Sequence, residues 1–167
     1  MVENDHGFVP DAVVFAAGAL VGKSLPEYDA ADVERVLAVN FSGPALFLQA
    51  LQRHSGVEHA LFVSSLSARR GSFDPIYAAS KGAVESLVKS LSRVRPLKTR
   101  VNAVSPGLVE GSGMAGQMTD GDLQRHLAET PTGKLVDLGD LAGVVCDLLS
   151  PRWKSLNGAV VALDGGR

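Results

Sequence analysis

The sequence predicts an α/β domain in which a parallel sheet of about four strands carries helices on its faces. Three observations lead there. Four short runs rich in apolar and β-branched residues are spread along the 167 residues. Helix-period patterns separate them, so successive strands are joined by crossovers rather than hairpins. The runs are nearly continuous in apolar character rather than alternating, which marks strands covered on both faces. No internal repeat, low-complexity tract or linker interrupts the pattern, and residues 1–167 read as one domain.

The first strand is Asp11–Ala16 (DAVVFA), running out toward Gly18. A helix over Ala31–Leu51 follows from the spacing of Val33, Val36, Leu37, Phe41 and Leu48. Pro44 is expected to kink or break it, because proline has no N–H to give. Glu58–Ser65 (EHALFVSS) is the second strand. Asp74 and Pro75 suit an N-cap and first turn, and Ala83, Leu87 and Leu91 carry that second helix to Leu91. Lys98–Val104 (KTRVNAV) is the third strand, closed by Ser105-Pro106-Gly107. The polar, glycine-rich stretch from Glu110 to Asp122 is a loop, with a modest helix after it to about Glu129. Asp137–Leu149 is a further helix, with Asp137 or Asp140 near its start, where a carboxylate complements the helix dipole. Asn157–Leu163 (NGAVVAL) is the last strand, ended by Asp164-Gly165-Gly166.

Composition narrows the function. Net charge is −2 with acids and bases interspersed, so nothing recommends a nucleic-acid or anionic-membrane partner. Cys146 has no second cysteine to pair with, which fits a reducing compartment. No apolar run approaches the ~18 residues of a membrane span. The start, Met-Val-Glu-Asn-Asp-His, is acidic and polar rather than a basic, apolar signal peptide. A cytoplasmic protein is expected. His6, His54, His59 and His126 show no ligand spacing with one another or with Cys146, so no metal is expected. No G-x-S-x-G elbow is present, which removes the usual serine-hydrolase signal. Cys146, between Val145 and Leu148, reads as a core residue, Trp153 as packing a helix end, and Arg69 and Arg70 as a solvated loop pair.

In open parallel sheets, ligands bind beyond the carboxyl ends of the strands, near the point where strand order reverses. The unusual residues lie at such ends: Ala17-Gly18 after the first strand, Ser64-Ser65 after the second, Pro106-Gly107 after the third. On the second helix Tyr77 and Lys81 are four apart and share a face. Alone, Y-x-x-x-K is usually an exposed aromatic beside a solvated lysine. Here Ser65 ends a buried strand twelve residues earlier, and Ala78-Ala79-Ser80 follows the tyrosine.

Ser65, Tyr77 and Lys81, set in SS-x(11)-Y-A-A-S-K, resemble the catalytic signature of the short-chain dehydrogenase/reductase family. Four more stretches are similar in the right order. Phe15-Ala16-Ala17-Gly18-Ala19 resembles the family's N-N-A-G turn, with alanines for both asparagines; Val36–Asn40 resembles the helix bearing its catalytic asparagine. Arg100–Val109 (RVNAVSPGLV) resembles the strand and P-G motif that approach the nicotinamide, and Leu156–Gly166 resembles its last strand. The resemblance implies a Rossmann-like, doubly wound fold and an NAD- or NADP-dependent oxidoreductase interconverting an alcohol and a ketone by hydride transfer. Tyr77 would be the general acid/base, its phenol brought toward neutrality by the Lys81 cation. Ser65 would hydrogen-bond the substrate oxygen, and Asn40 would support a water relay from the lysine. Lys81 would hold the ribose with Tyr77, and Ala17, Gly18 and the Pro106, Gly107 and Val109 backbone would line the nicotinamide. Between Ser64 and Ser65, the family's pattern favours Ser65. Three residues between tyrosine and lysine match the carbonyl branch rather than enoyl reductases.

The resemblance also has gaps. Nothing like T-G-x-x-x-G-x-G precedes Asp11, so the βαβαβ half that grips the pyrophosphate is expected to be missing, and the first strand to be an uncovered edge. Gly111 stands where the family often has a cofactor-binding threonine. Gly111-Ser112-Gly113-Met114-Ala115-Gly116 fits G-x-G-x-x-G but does not sit between a strand and a helix of one βαβ unit. It reads better as a substrate-covering loop, with Met114 and Met118 as adaptable contacts. The alternative to an enzyme is an inactive remnant serving as an oligomerisation or binding module. A small-molecule carbonyl or alcohol substrate is expected, and a homo-oligomer that pairs through the two long helices and the last strand.

Overall fold

The computed structural model describes residues 10–54, 56–96 and 98–167; the acidic start of the chain, with His6, lies outside them. Four strands form one parallel sheet: β1 (Ala12–Phe15), β2 (His59–Val63), β3 (Arg100–Pro106) and β4 (Val160–Leu163), in the order β1-β2-β3-β4. Phe15 lies beside Phe62, Val63 beside Val104, and Pro106 beside Leu163. The residues that follow each strand therefore emerge along one rim. Strand order never reverses among these four, so the rim, not an internal switch point, gathers the predicted residues. Pro106 can end β3 because the last position of a strand need not donate to the ladder.

Both faces are covered, as continuous apolar strands require. On one, Phe62, Val101 and Ala103 pack with Leu48, Val84 and Val88, the latter three from helices α2 (Gly43–His54) and α4 (Pro75–Leu91). On the other, Leu61 and Val104 meet Leu148 of α7 (Leu138–Leu149). Asp137 is the α7 N-cap, accepting from Asp140 N at 3.0 Å. Cys146 is exposed rather than in the core. At about 100° per residue it points some 200° away from Leu148, whose neighbours Leu141 and Val144 mark the inward line. Trp153 is 44% exposed; its N–H donates to the carbonyl of Ser150, the C-cap of α7, Arg152 lies over its ring, and its carbonyl accepts from Arg100.

The first long helix is α1 (Ala30–Leu37), a π turn at Ala38–Ser42, then α2. Asp29 caps its start, accepting from Asp32 N at 2.8 Å. Pro44 does not break it. Within the wider π turn the Gly43 N–H donates to the carbonyl of Ala38, five residues back, and the helix resumes with Pro44 in its first turn, where proline is tolerated. Gly43 is required there, because a Cβ would lie 2.8 Å from the Ala38 oxygen. Gly43→Ala is expected to cost about 1–3 kcal/mol, since backbone must shift. Urea denaturation would measure the loss, and hydrogen exchange should show it centred on residues 38–43.

Two short helices lie where sequence periodicity indicated none: α3 (Ser67–Arg70), directly after β2, and α5 (Gly113–Gly116), inside the expected loop. Ser112 caps α5, accepting from Ala115 N at 3.2 Å, and Thr119 caps α6 (Asp120–Glu129) likewise at 3.2 Å from Asp122 N. The G-x-G-x-x-G stretch thus forms a single helical turn, not a strand-to-helix junction. No helix among the described residues is long and apolar enough to cross a membrane.

Candidate active site

Helix α4 begins where Asp74 turns the chain. Its carboxylate accepts from Tyr77 N at 2.9 Å, the expected N-cap, and also from Gly22 N at 2.9 Å, Val21 N at 3.2 Å and Tyr28 Oη at 2.5 Å. One buried side chain, 1% exposed, thus ties the loop after β1 to the start of α4. Burial alone would raise its pKa, but the hydrogen bonds from Tyr28, Tyr77, Gly22 and Val21 win and hold the carboxyl below its usual range. Tyr28 is pushed the other way, first by burial and then by its bond to Asp74.

Tyr77 and Lys81 face inward one turn apart, 7% and 4% exposed. Lys81 Nζ lies 5.8 Å from the centre of the Tyr77 ring. Its ammonium donates to Val63 O at 2.8 Å and, among the described residues, has no carboxylate partner. Burial alone brings it down to about 8. The expectation that this cation governs the tyrosine is not what the burial supports: desolvation raises the Tyr77 phenol, with the Asp74 charge in the same direction and the Ser65 hydrogen bond opposing.

The two serines after β2 part company. Ser64 turns to α4, donating to Glu85 Oε1 at 2.9 Å. Ser65 accepts from Ser67 N at 3.1 Å and lies near enough to Tyr77 to act on its phenol. Asn40 sits in the π turn, 2% exposed. Its Oδ1 accepts from Ala19 N at 2.7 Å, and its Nδ2 donates to Ala19 O and to Ser80 Oγ, both at 2.9 Å. Both amide hydrogens are used, so Asn40 fixes the turn after β1. A Cβ on Gly18 would be 3.7 Å from Lys81 Nζ and 3.9 Å from Asn40 Oδ1, which brings Gly18, Asn40 and Lys81 to one spot, with Ala17 exposed beside it.

Around Pro106 much of the backbone is occupied. Pro106 O accepts from Leu66 N at 2.8 Å, and Gly107 N donates to Leu163 O at 2.9 Å. Val109 forms an isolated parallel bridge with Val136 through Leu108 O and Glu110 N, which leaves its own N–H out of that bridge. A cleft of about 870 Å³ opens in front of Ser65, Tyr77 and Gly107. Met114 and Met118 line it as expected, with Leu20 and Leu108. Lys81, Asn40, Gly18, Pro106 and Val109 are not among its walls. Two features escaped sequence reasoning. Arg69 is exposed, as expected, and is also held by Asp164 at 2.7 Å, latching α3 to the turn after β4. The cross-link through Asp74 was visible only as a helix cap.

Comparison with known proteins follows this geometry. The family model described as enoyl-(acyl carrier protein) reductase matches residues 3–167. The 2-(S)-hydroxypropyl-CoM dehydrogenase 3 of Xanthobacter autotrophicus is 32% identical over 86% of the chain and 60% of its own length. The NADP-dependent (R)-specific alcohol dehydrogenase of Lentilactobacillus kefiri is 30% identical over 92% of the chain and 64% of its own. A crystal structure described as a short-chain dehydrogenase/reductase, glucose/ribitol dehydrogenase, from Brucella melitensis superposes with a TM-score of 0.85 at 30% identity, over 93% of this chain and 64% of that one. The chain thus spans about 60–64% of the length of these relatives. With the parallel sheet and the order of its motifs, these matches place the chain in the short-chain dehydrogenase/reductase family of oxidoreductases.

Proposed function

We propose that this chain carries the proton-transfer half of a nicotinamide-dependent alcohol–ketone oxidoreductase, with Tyr77 as general acid/base. One observation carries the reading: Lys81 is buried, has no counter-charge among the described residues, and places one of its three donors on Val63 O, a helical turn from the buried Tyr77. A structural lysine would be paired or exposed, since an unpaired buried ammonium costs stability. Two spare donors beside Gly18 suit the hydroxyls of a ribose, so the residues present fit the nicotinamide-riboside part of NAD or NADP.

When bound, the nicotinamide supplies or accepts the hydride. This chain's residues do the rest. Ser65 Oγ and Tyr77 Oη present two hydroxyls to one substrate oxygen, and Tyr77 passes its proton to that oxygen in reduction or takes it in oxidation. Lys81 and Tyr77 would hold the ribose, with Ala17 and Gly18 beside it. Asn40, by pinning Ala19 and Ser80, keeps that surface in place. The Pro106–Gly107 turn would back the ring, and the Val109 N–H is free for its carboxamide. The matching family model is described by enoyl reduction, yet the four-residue step from Tyr77 to Lys81 and the named dehydrogenase relatives favour a carbonyl. A homo-oligomer belongs to this reading, and Leu46 and Phe47 of α2, 62% and 47% exposed, offer apolar surface for it; sizing at micromolar concentration tests it, and a monomer would exclude it.

Fluorescence titration with NADH and NADPH is the direct test. Saturable binding weakened roughly tenfold or more by Lys81→Met is expected. A second readout separates site loss from misfolding. The folded pKa of Lys81 is lowered from 10.5 to about 8, so burying its charge opposes folding below about pH 8, and the penalty fades as pH rises toward 10.5. Lys81→Met should therefore make the protein more stable at pH 7 and lose that advantage at alkaline pH. A folded wild type that binds neither nucleotide would overturn the reading in favour of a non-catalytic binding module.

A further inference from the structure

The cleft has a second end with chemistry of its own. Besides Ser65 and Tyr77 its walls include Arg70, at the end of α3, Arg125, His126 and Glu129 of α6, and Arg167. Most charges there cancel in pairs. Arg167 donates to His126 Nδ1 and to Glu129, and Arg125 lies 3.2 Å from Asp122. Asp74, the remaining carboxylate of the wall, is buried and already accepts four hydrogen bonds. Arg70 is left over. Its neighbour Arg69 is taken by Asp164, but among the described residues the exposed Arg70 guanidinium has neither an ion pair nor a hydrogen-bond partner. Burial first, then Arg167, and last Arg70, against the opposing Glu129, hold His126 below the usual histidine range.

We propose that Arg70 sets the substrate specificity of this cleft, and that the substrate is a short-chain keto or hydroxy acid with a single negative charge. This rests on Ser65 and Tyr77 marking the reacting end. Arg70 follows Ser65 by five residues, through one turn of helix, and both line the same cleft, which suits a short carbon chain between anchor and reacting carbon. Leu108 and Met114 supply apolar wall between them. A free guanidinium offers a carboxylate two parallel N–H bonds, which a neutral amide cannot match. With Asp122 paired to Arg125 and Glu129 to Arg167, Arg70 is the one unmatched cation among the described residues of the cleft, which balances a single negative charge and leaves the second charge of a phosphate monoester unmatched.

Three probes test this without any nicotinamide: acetoacetate, its neutral counterpart acetoacetamide, and the dianion dihydroxyacetone phosphate, each followed by amide chemical shifts of the isotope-labelled chain. Acetoacetate should bind about fivefold or more tighter than acetoacetamide, shifting the Ser65 and Arg70 amides together. Arg70→Gln should erase the preference, and Arg125→Gln should keep it. Dihydroxyacetone phosphate should bind more weakly than acetoacetate. Equal affinity for acetoacetate and acetoacetamide, a preference that survives Arg70→Gln, tighter binding of the phosphate, or no binding of any probe by the folded protein would each overturn the proposal. Failure of the cofactor reading shows separately in the nucleotide titrations.

Discussion

Asp74→Ala is expected to destabilise the fold by about 3–5 kcal/mol, the sum of a lost helix cap and of several buried donors left without an acceptor. At neutral pH that is about 6–20 °C in Tm for a chain of this size. The reason is geometric. A single carboxylate accepts from Tyr28, Val21, Gly22 and Tyr77, so truncation unties the loop after β1 and frays the first turn of α4 together. An ordinary exposed N-cap would lose only about 1 kcal/mol. A loss near that smaller figure would show that the four bonds are not cooperative.

The same residue fixes a sign in the pH dependence. Its folded pKa lies below the usual 3.8, so Asp74 contributes stability that is fully present above that value and is lost as pH falls through the folded pKa. The gap between wild type and Asp74→Ala should be widest at neutral pH and close in strong acid. Urea midpoints at several pH values would show it. A gap that is constant with pH would mean that the carboxylate's charge plays no part.

How much of this was legible in sequence depended on how local each signal is. The strands were readable because runs such as Ala60-Leu61-Phe62 bury residues on alternate faces, and both faces are covered. Tyr77 and Lys81 were readable because a four-residue step on a helix is a local fact. Ser64 against Ser65 was not, since the choice turns on Glu85, across the gap between β2 and α4. Asp74 looked like a cap; its partners Val21, Gly22 and Tyr28 are 46–53 residues away. Pro44 misled because its effect depends on the π turn before it, which needs Gly43 and leaves no mark in hydrophobic period. Cys146 misled by its neighbours: Val145 and Leu148 are apolar, but helix phase puts the cysteine outside. The four-residue helix that carries Arg70 is too short to show any periodicity.

Tyr77→Phe is expected to lower kcat/KM for carbonyl reduction by about 10²–10⁴-fold, the usual contribution of a positioned general acid, while leaving the fold nearly unchanged. The ring keeps its packing, and only the hydroxyl is lost. The pH profiles carry the sharper test. With its phenol raised above 10, Tyr77 is protonated at neutrality and ready to donate, so reduction should be flat through pH 6–8. Oxidation needs the phenolate, whose fraction grows about tenfold per pH unit below the pKa, so log kcat/KM for alcohol oxidation should climb with slope near one. Above about pH 8 the Lys81 ammonium is lost, and with it the cation proposed to hold the ribose, so the climb should bend there. In Tyr77→Phe the residual oxidation should lose this slope. A wild-type oxidation rate that is independent of pH, or a Tyr77→Phe variant that keeps the climb, would move the proton transfer to another group, with Ser65 the nearest hydroxyl.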